Sequence, residues 1–310
     1  MKVAVLLATY NGEKYIKTQI DSLLNQTFHN FELFISDDGS TDNTLEILKE
    51  YAFNRHNIHI LEKHEPNGSA CKNFLYLLEN VNSDLYLFCD QDDEWFSDHI
   101  ENLVRTFEIN RKEGVPLLIH SDLMVVDREL NIINDSFFKF SSLSKNPLPY
   151  HYYLVQNNVT GCTMAINQEL KEKAILNLST ENRLKIPMHD WWLALVAARF
   201  GEIIFIENKG LKYRQHGGNE VGAKNVNSFS YVFNRFFNRA ANRRSVSMSR
   251  NLVSVYLSVF DNVLENEEKK VLSEYISPDK YSKLRRILFL KKNRLERDTL
   301  KRKLMQILYI

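Results

Sequence analysis

Residues 85–89, Leu-Tyr-Leu-Phe-Cys, form an unbroken apolar run that stops at Asp90-Gln91-Asp92-Asp93. A run this short and this apolar is the pattern of a strand covered on both faces. The carboxylates at its end repel one another unless a hard cation such as Mg²⁺ or Mn²⁺ lies between them, and such an ion keeps positions open for phosphate oxygens. The alternative is an acidic turn in which Asp92 or Asp93 caps the next helix.

The chain before this run alternates. Strands are expected at 3–8, 31–35 and 57–61, and helices over 13–26, 45–51 and 69–78, where apolar residues recur at helical spacing. This predicts an α/β fold with a mainly parallel central sheet flanked by helices, whose ligands bind beyond the carboxyl ends of the strands. Three polar clusters fall at those ends: Thr9 to Asn11, Asp37 with Asp38, and Asp90 to Asp92. Further on, a helix runs from Trp95 to about Lys112, with strands at 117–121 and 124–126 around Asp122. Residues 134–150 read as a surface loop rich in Ser, Asn and Pro. A turn at Thr160 enters a strand, a helix opens at Met188, strands follow at 203–206 and 211–214, and 217–230 reads as a flap. No Gly-x-Gly-x-x-Gly follows the first strand and no Gly-x-x-x-x-Gly-Lys occurs, which argues against dinucleotide and P-loop sites.

The net charge of +1 conceals an asymmetry, since residues 225–310 hold 18 Lys+Arg against 8 Asp+Glu and the preceding residues 22 against 31. From Tyr231 the texture is helical, with Arg235, Arg239, Arg243, Arg244 and Arg250 among aromatics and a last segment from Lys283 that alternates leucines with basic residues. These helices either pack on the catalytic part or lie on anionic lipid. No stretch approaches the roughly 20 apolar residues of a spanning helix, and the unpaired spacing of Cys71, Cys89 and Cys162 fits a reducing cytoplasm.

These residues suit a nucleotide diphosphate. Asp38 or Asp37 can accept from a pyrimidine N–H or a ribose hydroxyl, the main chain of Thr9 and Tyr10 can grip the base, and a metal at Asp90 and Asp92 would face the phosphates. Asn11, Glu13 and Gln91 extend the expected nucleotide-sugar set. Breaking a sugar–diphosphate bond also needs a base separate from the metal pair. Asp190, beside His189, Trp191 and Trp192, is the candidate, with a plain helix cap as the alternative. His216, at a strand end, is the candidate third metal ligand. Trp95, Gly161, Cys162, His189, Trp191 and Trp192 are expected to line the acceptor and sugar pocket.

Thr-Tyr-Asn-Gly at 9–12, Asp-Asp-Gly-Ser-Thr-Asp at 37–42, Asp-x-Asp at 90–92, Thr-Gly-Cys-Thr at 160–163 and His-Asp-Trp-Trp at 189–192 occur in an order and spacing that resemble the inverting glycosyltransferases of family 2, with the GT-A fold. The resemblance implies a GT-A domain over 1–225 and leaves 226–310 as a basic helical C-terminal region. It also implies that Asp38 binds the base, that Asp90 and Asp92 hold the nucleotide sugar and its Mn²⁺ or Mg²⁺, and that Asp190 is the catalytic base. The Asp-Gln-Asp-Asp and Tyr-Arg-Gln-His-Gly-Gly-Asn stretches look most like bacterial rhamnosyltransferases, which use dTDP-L-rhamnose and a lipid-linked glycan acceptor at the cytoplasmic membrane face. The Gln-x-x-Arg-Trp box of processive relatives is missing, which implies one sugar per encounter; a UDP-hexose donor is the alternative. The C-terminal helices are then expected to contact the membrane peripherally or to pair two copies of the chain, and no nucleic-acid partner is expected. A phosphohydrolase with an aspartyl nucleophile wants Thr or Val where Asp93 stands. A non-catalytic sugar-nucleotide-binding module would not need the full carboxylate set.

Overall fold

The computed structural model describes residues 1–62, 65–145, 148–216, 238–277 and 281–309. Strands β1 (Val3–Thr9), β2 (Glu32–Asp37), β3 (Ile58–Ile60) and β4 (Leu85–Cys89) pair in parallel as expected, joined by helices α1 (Ile16–Leu24), α2 (Thr44–Phe53) and α3 (Ala70–Asn80). Side chains alternate across a strand, so each buried run feeds two cores. Val3, Val5, Leu7, Leu85, Leu87 and Cys89 pack with α1 and α2 on one face. Ala4, Leu6, Ala8, Tyr86 and Phe88 pack with α3 on the other. This explains why these strands read as continuous apolar stretches.

Beyond β4 the sheet becomes mixed. After β5 (Glu94–Trp95) and α4 (His99–Asn110) come β6 (Leu117–Val126), β7 (Ile132–Asn134), α5 (Phe137–Phe140), α6 (Tyr150–Tyr153) and a 3₁₀ turn over Gly161–Thr163. Then follow β8 (Ala165–Asn167), α7 (Gln168–Ile175), α8 (Thr180–Lys185), α9 (His189–Phe200) and β9 (Glu202–Arg214). The strand order is β3-β2-β1-β4-β8-β6-β9-β5, with β7 beside β6. β8 runs antiparallel to both neighbours, and β6 and β9 are parallel to each other.

Two expected pairs of strands are single strands. Residues 117–121 and 124–126 belong to β6, and 203–206 and 211–214 belong to β9. The register jumps between Ser121↔Ile206 and Asp122↔Lys209, so Glu207 and Asn208 form a bulge whose polar residues look like a turn in sequence. The expected loop at 134–150 contains α5, because the buried Asp122 carboxylate accepts from Ser136 Oγ (2.5 Å) and from the Phe138 amide (3.2 Å).

The C-terminal residues form α10 (Arg239–Phe260), α11 (Asn266–Ile276), α12 (Lys283–Lys292) and α13 (Leu300–Tyr309). Leu252, Val253, Tyr256 and Phe260 of α10 lie in the same apolar cluster as α3 and α9, as do Leu272, Tyr275, Leu290 and Leu295. The Phe260 ring meets Trp192 at 6.0 Å and Phe200 at 4.7 Å. Arg235 and the expected flap at 217–230 lie outside the described residues. Among the described residues, no helix is long and apolar enough to cross a membrane.

Candidate active site

The ends of β1, β2 and β4, the start of α3 and the first turn of α9 surround a cavity of about 670 Å³. Thr9, Tyr10, Asp38, Asp90, Gln91, Asp92, Gly161 and Asp190 of the expected set line it.

At the end of β2 the two aspartates divide their work. Asp37 accepts from the Ser40 amide (2.9 Å), Ser40 Oγ (2.5 Å) and Thr9 Oγ1 (3.0 Å), which shapes the turn. Asp38 reaches the cavity, its carboxylate held by the amides of Asn67 and Gly68, the latter at 2.8 Å. Asn11 and Glu13 face the same turn rather than the cavity. Asn11 Oδ1 accepts from the Thr41 amide (2.8 Å), and Glu13 Oε2 from the Asn43 amide (2.9 Å).

Gln91 joins the first and fourth strand ends. Its Oε1 accepts from the Tyr10 amide (2.8 Å) and its Nε2 donates to the Tyr10 carbonyl (2.9 Å), copying the pairing of a strand. The clamp requires a glycine at position 12, where a Cβ would stand 2.3 Å from Gln91 Oε1.

Asp90 and Asp92 face the cavity, while Asp93 is fully buried. Burial, then Asp92 and Asp90, push the Asp93 carboxyl well above its usual range, opposed by the Arg214 amide that donates to Oδ1 at 3.1 Å. Burial, then Asp93, likewise pushes the Cys162 thiol up. Ligand atoms of Asp90, Asp93 and Cys162 lie within 4.8 Å of one another. His216 Nε2 stands 2.6 Å from Asp92 Oδ2, and its ring stacks on Tyr15 at 4.9 Å. Three carboxylates within four residues, one of them fully buried, fit a divalent cation. Among the described residues the group whose ligand atoms come together is Asp90, Asp93 and Cys162, which shares only Asp90 with the expected set of Asp90, Asp92 and His216.

Two residues outside the expected site set hold this turn. Arg214 Nε donates to the Asp92 carbonyl (2.9 Å) and its NH1 to the Arg128 carbonyl (2.7 Å), with the guanidinium 4.8 Å over Tyr15. The signal for Arg214 was its place at the end of β9, two residues before His216; Tyr15 carried none.

Asp190 sits in the first turn of α9, 3% exposed, and accepts from the Trp191 amide at 2.5 Å. The helix cap is Met188, so the capping alternative does not describe it. The aromatic neighbours lie behind the wall. Trp191 donates to the Tyr153 carbonyl (2.6 Å), and Trp192, fully buried, to that of Ala174 (3.2 Å). His189 packs 4.3 Å from Phe74 behind Gly161, and burial pushes its pKa down to about 3. Cys162 is buried, and Trp95 packs on His99. Of the six residues expected in the acceptor pocket, Gly161 alone lines the cavity; Phe137, Leu143, Val159, Met188, Tyr213 and Arg302 line it there instead.

A parallel half-sheet ending in a carboxylate-lined cavity, closed by a mixed second half, defines a GT-A glycosyltransferase. Residues 4–172 match Glycosyl transferase family 2, and the chain belongs to that family. It is 32% identical over 227 residues to the dTDP-rhamnosyl transferase RfbG of Shigella flexneri, covering 70% of this chain and 74% of that protein. The fold is similar to S. aureus TarS 1-349 in complex with UDP, with a TM-score of 0.57 and 18% identity, covering 92% of this chain and 73% of that one. It is also similar to the mannosyltransferase PcManGT from Pyrobaculum calidifontis in complex with GDP-Man and Mn²⁺, with a TM-score of 0.52 and 14% identity, covering 99% and 86%.

Proposed function

We propose that this chain transfers one L-rhamnosyl group, with inversion, from dTDP-L-rhamnose to a lipid-linked glycan in bacterial surface polysaccharide synthesis. One observation carries this reading: Asp38, Asp90, Asp92 and Asp190 reach one cavity from three separate segments. The relative from Shigella supports the choice of donor. Asp38 receives a base N–H, and the Tyr10 loop holds the base in place. Asp90 and Asp92, with His216 as a third donor, would hold Mn²⁺ or Mg²⁺, whose charge would offset that of the departing diphosphate. Asp190 accepts the acceptor's hydroxyl proton. The hydroxyl oxygen bonds to the anomeric carbon as the bond to the diphosphate breaks, and the electron pair leaves with dTDP. Residues 1–225 carry the chemistry, and 226–310 present the protein peripherally to the cytoplasmic face of the membrane.

The test is a thermal-shift panel of nucleotide sugars with and without Mn²⁺. A donor at 100 times its dissociation constant adds about 2.7 kcal/mol, and dTDP-L-rhamnose is expected to stabilise most. A larger response to a UDP-hexose replaces the donor, and no response to any nucleotide overturns the reading. Asp190→Asn should keep the donor response and lose transfer by about 10²-fold or more. Full transfer by that variant removes Asp190 from the base role.

A further inference from the structure

The geometry points to α13 as a helix with two working faces: a leucine stripe that docks on an anionic lipid bilayer, and an opposite face that builds the cavity wall. Leu300, Leu304 and Leu308 recur every four residues, so they form one stripe. They are 74%, 49% and 42% exposed. Arg302 and Gln306 are offset by two residues, about half a turn, and so point the other way. Gln306 is buried, donating to the Leu295 carbonyl at 2.8 Å. Arg302 lines the cavity and donates to the carbonyls of Ser141 (2.7 Å) and Ser142 (3.2 Å), which fixes the segment that contributes Ser141 and Leu143 to the wall.

Charge selects the occupant. Residues 281–310 hold ten Lys+Arg against two Asp+Glu. On α12, Lys283, Lys291 and Lys292 are exposed beside the exposed Leu284 and Leu288. Leucines flanked by cations suit the boundary between headgroups and acyl chains of an anionic bilayer. A second copy placed on the same stripe would bring two such basic surfaces together. Docking through α13 also sets the acceptor side of the cavity beside the bilayer, where a lipid-linked acceptor is held. This rests on the membrane-side reading above and is independent of the donor's identity.

The test is co-sedimentation of the full chain with phosphatidylcholine vesicles, with and without 30 mol% phosphatidylglycerol. The expected result is binding to the anionic vesicles alone, weakening with added NaCl. The double variant Leu304→Glu/Leu308→Glu should reduce binding at least tenfold while leaving the circular dichroism and the nucleotide thermal shift unchanged. Wild-type vesicle binding by that variant, or equal binding to neutral vesicles, overturns the proposal. So does a lipid-free dimer, seen by sedimentation velocity, that the same substitutions dissociate. Asp90→Ala/Asp92→Ala, which should end transfer, should leave vesicle binding intact, so failure of the catalytic reading and failure of the docking surface are told apart.

Discussion

Gln91 gives a prediction whose size follows from two hydrogen bonds. Its amide ties the acidic turn to the Tyr10 main chain at 2.8 and 2.9 Å. A net hydrogen bond contributes about 0.5–1.5 kcal/mol. Because Gln91 is half-buried and Tyr10 exposed, the lower part of that range applies, so Gln91→Ala should release about 1–2 kcal/mol of loop ordering. If nucleotide binding needs both loops in register, that ordering is restored at the expense of affinity, and the Kd rises by about 5- to 30-fold. Gly12→Ala should do the same by another route, since its Cβ would lie 2.3 Å from Gln91 Oε1 and expel the flexible amide. The two substitutions break one interaction, so the double variant should cost no more than either single variant. Calorimetric titration of the four proteins with the nucleotide and Mn²⁺ closes the cycle. Additive losses, or a Gln91→Ala Kd equal to wild type, would refute the reasoning.

Burial holds His99, His120 and His189 at pKa values of about 3, below the 6.5 of the free side chain. The unfolded chain therefore binds more protons between these values; this stability is present above about pH 6.5 and lost as pH falls, by about 2 kcal/mol per histidine between pH 7 and 5. His120→Phe, whose ring would sit near Phe138 and Phe205, should flatten the pH dependence of urea unfolding, and an unchanged slope argues against the assignment. Phe260→Ala should cost about 3–5 kcal/mol in a single cooperative melt of the whole chain, because its ring packs between Trp192 and Phe200. A separate early transition confined to the C-terminal helices would show that they do not share the core.

The parallel half of the fold was legible because β1 and β4 are buried on both faces and their strand ends are polar. The second half hid in places where a local rule is broken. The bulge at Glu207 and Asn208 reads as a turn, and Asp122 reads as a break although its buried carboxylate organises α5. At the site, pattern located the acidic turn, the two aspartates after β2 and Asp190. Residue chemistry alone left Asp37 and Asp38 open, since that choice depends on the turn that Ser40 closes, and only the family resemblance singled out Asp38. It placed Trp191 and Trp192 in the pocket because they flank Asp190, but α9 is buried on nearly all sides and its aromatics face the core. Arg302 acts through main-chain carbonyls far away in sequence, and no spacing announces such contacts.

The short strand β8 has a wider consequence. Among the described residues of the sheet, Ala165–Asn167 bridges β4, which ends in the acidic turn, and β6 on the other side. The 3₁₀ turn just before it carries Gly161 into the cavity. The two halves of the molecule are thus sewn together by a seam three residues long, at the place where a bound ligand would span the join. Filling the cleft adds a second row of stitches, so amide protons along that seam should exchange more slowly with solvent when nucleotide is present, while those deep in β1 hardly change.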